Sequence, residues 1–385
     1  MYPRILDFPF SLNKSFFLFG PRGTGKTTLL KKKCPKAFYL DLLNMKNYQD
    51  LLANPNLLAK LIPDNFNEWI IIDEIQKIPE LLNEVHRLIE EKKYKFILTG
   101  SSARNLRKKG VNLLAGRALT FSLYPLTAFE LGKDFDISKS LNLGHLPSVY
   151  AEKNPKLYLN SYINTYLREE VLQEGLVRKL SVFSKFLEIA SFSQGSLLNM
   201  SEIAREIGID NKTIENYFVI LEDLLIGVRI PVFTKRAKRR MVTHPKFYFF
   251  DTGIYRTLRP AGPLDSKEEI DGTSLETLFF QELRAINDYF QLEYQIFFWR
   301  SATNLEVDFV LYSNNNFMAF EIKRSARFSN KDFSGLRAFK NDYPEAKLFF
   351  LYGGERIEYH EGITVLPIQQ AIINLHKILK GEMIN

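Results

Sequence analysis

The stretch Phe17 to Leu30 reads Phe-Leu-Phe-Gly-Pro-Arg-Gly-Thr-Gly-Lys-Thr-Thr-Leu-Leu. An apolar strand at Phe16 to Phe19 precedes it, and a helix is predicted to begin near Lys26. Gly20, four intervening residues, Gly25, Lys26 and Thr27 form the Walker A pattern in the context that pattern requires. Gly20, Gly23 and Gly25 allow a tight turn and bring backbone N–H groups up to phosphate oxygens, where a Cβ would crowd them. The helix start adds the positive end of its dipole. The segment Gly20, Pro21, Arg22, Gly23, Thr24, Gly25, Lys26, Thr27, Thr28 is therefore expected to hold ATP. Lys26 would reach the β and γ phosphates, and the Thr27 hydroxyl would ligate Mg²⁺.

A second element separates hydrolysis from mere binding. Trp69 to Ile72 is an apolar run ending in Asp73 and Glu74, as expected of a strand buried on both faces of a parallel sheet. Asp73 at its carboxyl end would hold the Mg²⁺ shell through water, and Glu74 would polarise the attacking water. A third strand, Tyr94 to Gly100, ends in Thr99, Gly100, Ser101 and Ser102. Ser101 is read either as a contact to the γ-phosphate or as a helix N-cap. Arg117 stands just before the predicted strand Ala118 to Leu123, either as a finger toward a neighbouring subunit's nucleotide or as a solvated surface residue.

These segments, with Ile-Asp-Glu-Ile-Gln at 72–76, Leu-Thr-Gly-Ser-Ser at 98–102, Leu-Ala-Gly-Arg at 114–117 and Leu-Tyr-Pro-Leu at 123–126, resemble the prokaryotic AAA-type ATPases that carry a C-terminal nuclease-like domain of unknown function. The resemblance covers nearly the whole chain. It implies ATP hydrolysis and a finger role for Arg117, within a homo-oligomer, but supplies no substrate.

Composition sets bounds on the partners. At 385 residues the chain is long enough for several cores. With 52 basic and 44 acidic residues, net +8, an anionic partner such as nucleic acid, DNA more than RNA, is compatible with its charge. The single cysteine, Cys34, rules out an internal disulfide and fits a reducing cytoplasm. No apolar run approaches the roughly 20 residues needed to span a bilayer, and the opening Met-Tyr-Pro-Arg has no long apolar region. A cytoplasmic protein is expected.

Four parts are predicted: an AAA-type P-loop core at 1–133, a helical lid or linker at 134–185, a winged-helix-like module at 186–250 and a restriction-endonuclease-like α/β domain at 251–385, an α/β chain overall. In the third part Met200 to Ile207 and Asn211 to Leu225 are helices around the turn Gly208-Ile209-Asp210. Ser201 and Asp210 are the expected N-caps, and strands are expected around Val228 to Phe233 and Phe247 to Asp251. The helix-turn-helix arrangement and the run Lys235, Arg236, Lys238, Arg239, Arg240 between the strands point to phosphate contacts without sequence readout. The alternative is a packing module with a solvated basic hairpin.

The last part carries a second constellation. Asp308 lies on a predicted strand Leu305 to Leu311, and Glu321 and Lys323 share one face of a strand Phe317 to Lys323 by period-two alternation. Twelve residues separate Asp308 from Glu321, enough for a hairpin through Ser313 to Asn316. Asp308 and Glu321, with Glu276 from a helix, would ligate Mg²⁺. Lys323 would orient or deprotonate a water for attack on a phosphodiester. These residues and Tyr248 to Gly253 resemble the PD-(D/E)xK nucleases, although Val307 stands where that family has proline. Otherwise Glu321 and Lys323 are a surface ion pair. Three functions stay open: an ATP-dependent nucleic-acid processing enzyme, an ATPase switch that binds without cutting, and a signalling or defence NTPase whose partner is protein.

Overall fold

The computed structural model describes residues 2–102, 118–167, 171, 179–235, 243–263 and 265–382. Arg117, Arg236, Lys238, Arg239 and Arg240 lie outside them. The chain divides into two compact units, Met1–Pro125 with Asp223–Leu225, and Leu126–Glu222 with Ile226–Asn385.

In the first unit, strands β1 (Ser15–Phe19), β2 (Phe38–Asp41), β3 (Trp69–Asp73), β4 (Lys95–Gly100) and β5 (Ala118–Ser122) form a parallel sheet in the order β2-β3-β4-β1-β5. Every residue of β1 and β3 is buried, which is why both read as unbroken apolar runs. The unit's helices are α1 (Lys26–Lys33), α2 (Met45–Ala53), α3 (Leu57–Leu61) and α4 (Leu81–Lys92). Alternation divides the strands between two faces. Phe17, Phe19, Ile70, Ile72, Phe96 and Leu98 meet Leu51, Leu58, Leu81, Val85 and Leu88 of α2, α3 and α4. On the other face Phe16 stacks on Phe8 at 4.8 Å and meets Phe121 edge-on at 5.4 Å. Each such side chain contributes about 1.5–3 kcal/mol on burial. Strand order places the ends of β3, β4 and β1 side by side.

The second unit begins with short helices α5 (Ala128–Leu131), α6 (Ile137–Leu143), α7 (Pro147–Ala151) and α8 (Pro155–Ser161), followed by α9 (Leu180–Phe192). Next come α10 (Met200–Ile207) and α11 (Asn211–Asp223), joined through Gly208 at φ 82°, a left-handed position that favours glycine. Asp210 accepts from the Thr213 N–H at 3.0 Å, as expected of a cap. For α10 the cap is Asn199, not Ser201: the Asn199 side chain accepts the Glu202 N–H at 3.2 Å. Strands β6 (Gly227–Ile230) and β7 (Lys246–Phe249) pair antiparallel. Immediately after β6 the chain is tied to the sheet domain. Val232 bridges Phe298, and Phe233, 1% exposed, sits in a core with Trp299 and Phe339.

That core belongs to a six-stranded sheet of β8 (Gln295–Arg300), β9 (Glu306–Tyr312), β10 (Phe317–Lys323), β11 (Lys347–Tyr352), β12 (Glu358–His360) and β13 (Ile363–Pro367), in the order β12-β13-β11-β10-β9-β8. β9 and β10 form the expected hairpin, closed by the Ser313 N–H on the Asn316 carbonyl at 3.0 Å. Helix α12 (Thr252–Leu258) precedes the long α13 (Lys267–Tyr289), whose Phe279 and Phe280 pack on Phe320 and Phe309 of the sheet. On the opposite face α14 (Ser334–Asp342) sets Phe339 among Val310, Ala319 and Leu348. The chain's last described helices are α15 (Ile368–Ile373) and α16 (Leu375–Lys380).

The Phe-Phe-Asp-Thr-Gly stretch at 249–253 is explained by packing. Buried Asp251 caps α12, accepting the N–H groups of Gly253 at 2.9 Å and Ile254 at 3.2 Å, and reaches back to the His145 N–H at 2.7 Å. A Cβ on Gly253 would lie 2.2 Å from the Leu143 carbonyl oxygen, so only glycine lets α6 come this close. The same junction has the Thr252 hydroxyl on the Ser140 carbonyl at 2.7 Å and Glu282 of α13 on the Ala128 N–H at 2.9 Å. Asp251→Ala leaves buried N–H groups unpaired at roughly 1–3 kcal/mol each, and Gly253→Ala forces backbone against backbone. Both variants should lower the urea midpoint of the second unit, Asp251→Ala by about 2 kcal/mol or more in stability, while a surface control such as Lys380→Ala leaves it unmoved.

Candidate nucleotide site and acidic pocket

At the carboxyl edge of the first sheet, loop geometry matches what the glycine spacing predicts. Gly23 and Gly25 take φ 80° and 91°, values that disfavour any side chain, and Gly25 is the N-cap of α1. Gly20 is confined from the other side, since its Cβ would lie 2.3 Å from the Leu123 carbonyl oxygen. Lys26 is 6% exposed and donates to the Gly20 and Pro21 carbonyls at 2.7 and 3.3 Å. Buried Thr24 donates to Pro21 at 2.8 Å, while Arg22 and Thr28 face solvent.

Asp73, 5% exposed at the end of β3, collects the polar groups of its neighbours. Thr27 donates to its Oδ2 at 2.8 Å, Tyr39 of β2 donates to the same oxygen, and Thr99 of β4 donates to Oδ1. Burial and the Asp73 carboxylate together hold the Tyr39 phenol above its ordinary range, so it stays a donor. The set is all hard oxygen, and hydroxyl hydrogen bonds are interchangeable with those of a hydrated ion. Thr27 and Asp73 thus fit Mg²⁺. Beside them Glu74 adopts φ 60°, a left-handed conformation costing on the order of 1–3 kcal/mol for a residue with a side chain. Its carboxylate accepts from the Ser101 hydroxyl at 3.2 Å and from Gln76, which also reaches Ser101 at 3.1 Å.

Three contributors escaped the sequence reading. Tyr39 is one tyrosine in a short strand. Gln76 sits two residues beyond the Asp-Glu pair, and Gly100 preserves its place, because a Cβ there would lie 2.6 Å from the Gln76 Oε1. Arg4 donates to the Thr24 carbonyl at 3.3 Å and to that of Tyr124, tying the loop to the Leu-Tyr-Pro-Leu segment.

In the second unit Asp308 and Glu321 are brought together as spacing predicts. Phe309 pairs with Phe320 across the hairpin, and the Ile322 N–H donates to Asp308 Oδ2 at 2.8 Å. Glu276 of α13 also reaches this pocket. The cation beside them is Lys246 of β7, 2% exposed: its Nζ lies 2.5 Å from Glu306, 3.2 Å from Glu276 and 3.6 Å from Asp308. Tyr248, two residues along and on the same strand face, donates to Glu276. Arg300 meets Glu306 from its other oxygen at 2.8 Å. The ammonium of Lys323 pairs with Asp332, so the expected juxtaposition of Lys323 with Asp308 is replaced by one with Lys246. The oxygens of Glu276, Glu306 and Asp308 are arranged around an ammonium, and among the described residues no group of three or more acidic, His or Cys side chains has the arrangement of a metal site. Lys235 donates to Gln295 at 3.3 Å and lies over the Tyr312 ring at 4.0 Å.

One ammonium and one guanidinium face four carboxyl groups, an imbalance that favours the protonated form of the acids. Burial, then Glu276, pushes Asp308 up to about 8. Burial, then Asp308, raises Glu321 well above the carboxylate range, and its buried Oε2 has no hydrogen-bond partner. Burial alone would lower Lys246, yet Glu276, Tyr248, Asp308 and Glu306 hold it well above the usual value. A carboxyl raised in the fold stabilises most below its unfolded value, near pH 4, and that contribution fades as pH rises through about 8. Stability should therefore fall between those limits in the native chain. Urea titrations at pH 5 and pH 8 should show a drop that Asp308→Asn reduces by roughly 1 kcal/mol or more.

Residues 12–132 match the family model described as an AAA domain, residues 134–265 a domain of unknown function (DUF8612) and residues 271–371 a domain of unknown function (DUF4143). An uncharacterised protein of Mycobacterium tuberculosis is 25% identical over 370 residues, 92% of this chain and 80% of that protein. Another, from Methanocaldococcus jannaschii, is 24% identical over 345 residues, 79% of this chain and 73% of that protein. The solved structure of the Aeropyrum pernix ORC1 protein in complex with DNA is similar at 13% identity and a TM-score of 0.26, covering 64% of this chain and 86% of that one, too low to bear on function. No helix of the described residues is long and apolar enough to cross a membrane. The parallel sheet, the glycine loop and the family match at 12–132 agree on an AAA-type P-loop ATPase fold for the first unit.

Proposed function

We propose that the chain is an Mg²⁺-dependent ATP hydrolase that changes state on hydrolysis and acts on nucleic acid. The observation that carries the reading is the placement of Glu74 beside the Thr27–Asp73 pair, with its carboxylate held by Ser101 and Gln76. The loop from Gly20 to Thr28 takes the phosphates, and Lys26 turns from its carbonyl partners to the β and γ oxygens. Bound Mg²⁺ would neutralise phosphate charge, held by Thr27 directly and by Asp73 through water. Glu74 polarises the attacking water, and Ser101, on both Glu74 and Gln76, is placed to couple γ-phosphate loss to a shift of that carboxylate. Arg117 completes the site from a neighbouring copy in a homo-oligomer. Hydrolysis without Arg117 is accordingly slow.

The nucleic-acid reading is carried by the helix-turn-helix of α10 and α11, the paired strands β6 and β7 of a winged-helix-like module, and the basic residues Lys235, Arg236, Lys238, Arg239 and Arg240 between those strands. Such a run offers point charges to a phosphate backbone and little to base edges.

Two outcomes follow. Lys26→Ala should abolish ATP turnover, whereas Glu74→Gln should keep nucleotide binding and lose about 10²-fold or more in rate, measured as phosphate release beside fluorescent-nucleotide binding. Normal turnover in Lys26→Ala would refute the site. Affinity for a DNA duplex should fall linearly in log–log terms with salt and lose slope when Arg239 and Arg240 become alanine; affinity indifferent to salt would refute the phosphate contacts.

A further inference from the structure

The acidic pocket of the second unit is built around a cation the chain supplies itself. Lys246 stands on β7, whose backbone is fixed by pairing to β6 and by a bridge from Leu197. Its side chain is 2% exposed, so the ammonium is out of contact with bulk solvent and depends on the carboxylates around it. Those carboxylates come from two further elements: Glu276 from α13, and Glu306 and Asp308 from β9. Tyr248 of the same strand fixes Glu276. A buried ammonium is tolerated only when matched by charge and hydrogen bonds. Here the match comes from the same oxygens a divalent ion would need. Mg²⁺ bonds oxygen at about 2.0–2.1 Å, so an ion on Asp308 and Glu276 would sit next to the Lys246 ammonium. Like charges that close repel, and a divalent ion there would have to compete with the ammonium for the same oxygens.

We propose that Lys246 is the resident cation of this pocket, that the native second unit takes no Mg²⁺ or Mn²⁺ there and cuts no phosphodiester, and that the pocket's role is to clamp the β6–β7 pair to α13 and the six-stranded sheet. Lys246 does this because a single ammonium satisfies three carboxylates from two elements at once, an arrangement no apolar contact reproduces. The phosphate-binding module and the sheet domain are thus one mechanical body, and the second unit binds without hydrolysing. This deepens the switch reading above and rests on it only for the word binding.

The test needs no nucleotide, so it reads independently of ATP turnover. Mn²⁺ is titrated into the full chain and into Asp308→Asn, which keeps an acceptor for the Ile322 N–H, and free Mn²⁺ is counted by electron paramagnetic resonance. Equal stoichiometry in the two proteins is expected; one Mn²⁺ more in the native chain would overturn the proposal. Cleavage of supercoiled and single-stranded DNA in Mg²⁺ or Mn²⁺ should be at background in both, and cleavage abolished by Asp308→Asn would overturn it as well. Lys246→Met should lower the thermal midpoint of the second unit, with Glu276→Gln added in the same chain restoring part of the loss. A Lys246→Met chain as stable as the native one would show that the ammonium clamps nothing.

Discussion

A carboxylate taken out of water must be answered by something, and both units are organised by how that demand is met. Asp73 and Asp308 are 5% and 9% exposed, each on a strand surrounded by apolar residues. Around Asp73 the answer is three hydroxyls, from Thr27, Tyr39 and Thr99. Around Asp308 it is a backbone N–H and the ammonium of Lys246. Neutral donors can be exchanged for the water shell of an ion with little electrostatic penalty, because the carboxylate keeps its charge and gains a cation. A buried ammonium cannot be exchanged that way, since displacing it leaves a charge with nowhere to go. Two carboxylates that look alike in sequence therefore sit in different electrostatic settings.

This difference explains what was legible in the residues and what was not. The loop at Gly20 to Thr28 and the Asp73–Glu74 pair are local signals. The chemistry of a phosphate cradle demands glycine at fixed intervals, and a buried strand must stop being apolar where it meets its ligand. The β9–β10 hairpin was equally readable, because alternation and a four-residue turn fix which positions face each other. What escaped is the identity of the third partner. Lys246 lies 30 positions from Glu276 and more than 60 from Asp308, and in sequence it follows a basic run that invites a solvent-exposed reading. Period-two alternation places the Lys323 side chain on a face but does not say which acid it meets; Asp332, in a short 3-10 helix at Asn330–Phe333, takes it.

The same limit appears at the junction around Asp251. Tyr-Phe-Phe-Asp-Thr-Gly was visible as a motif, yet its meaning is tertiary: Asp251 gathers N–H groups from α12 and from His145, and Gly253 is needed because a carbonyl from α6 lies against it. A signal of that kind in sequence looks functional. Here it joins the helical segment starting at Ala128 to the sheet domain through Glu282 and Thr252, and it accounts for that segment packing as part of the second unit.

The ties within the second unit bear on how a nucleotide signal would be used. β7 is held to α13 by Lys246, the chain after β6 to β8 by Phe233, and α6 to α12 by Asp251, so these elements of the second unit are tied to one another. A change imposed on this unit would then move the helix-turn-helix, the paired strands and the sheet together as one body. By contrast Glu74 is a strained residue held by two side chains, Gln76 and Ser101, that have other options. Strain therefore sits at one carboxylate in the first unit, whose partners have alternatives, whereas charge in the second unit is locked by a buried ammonium.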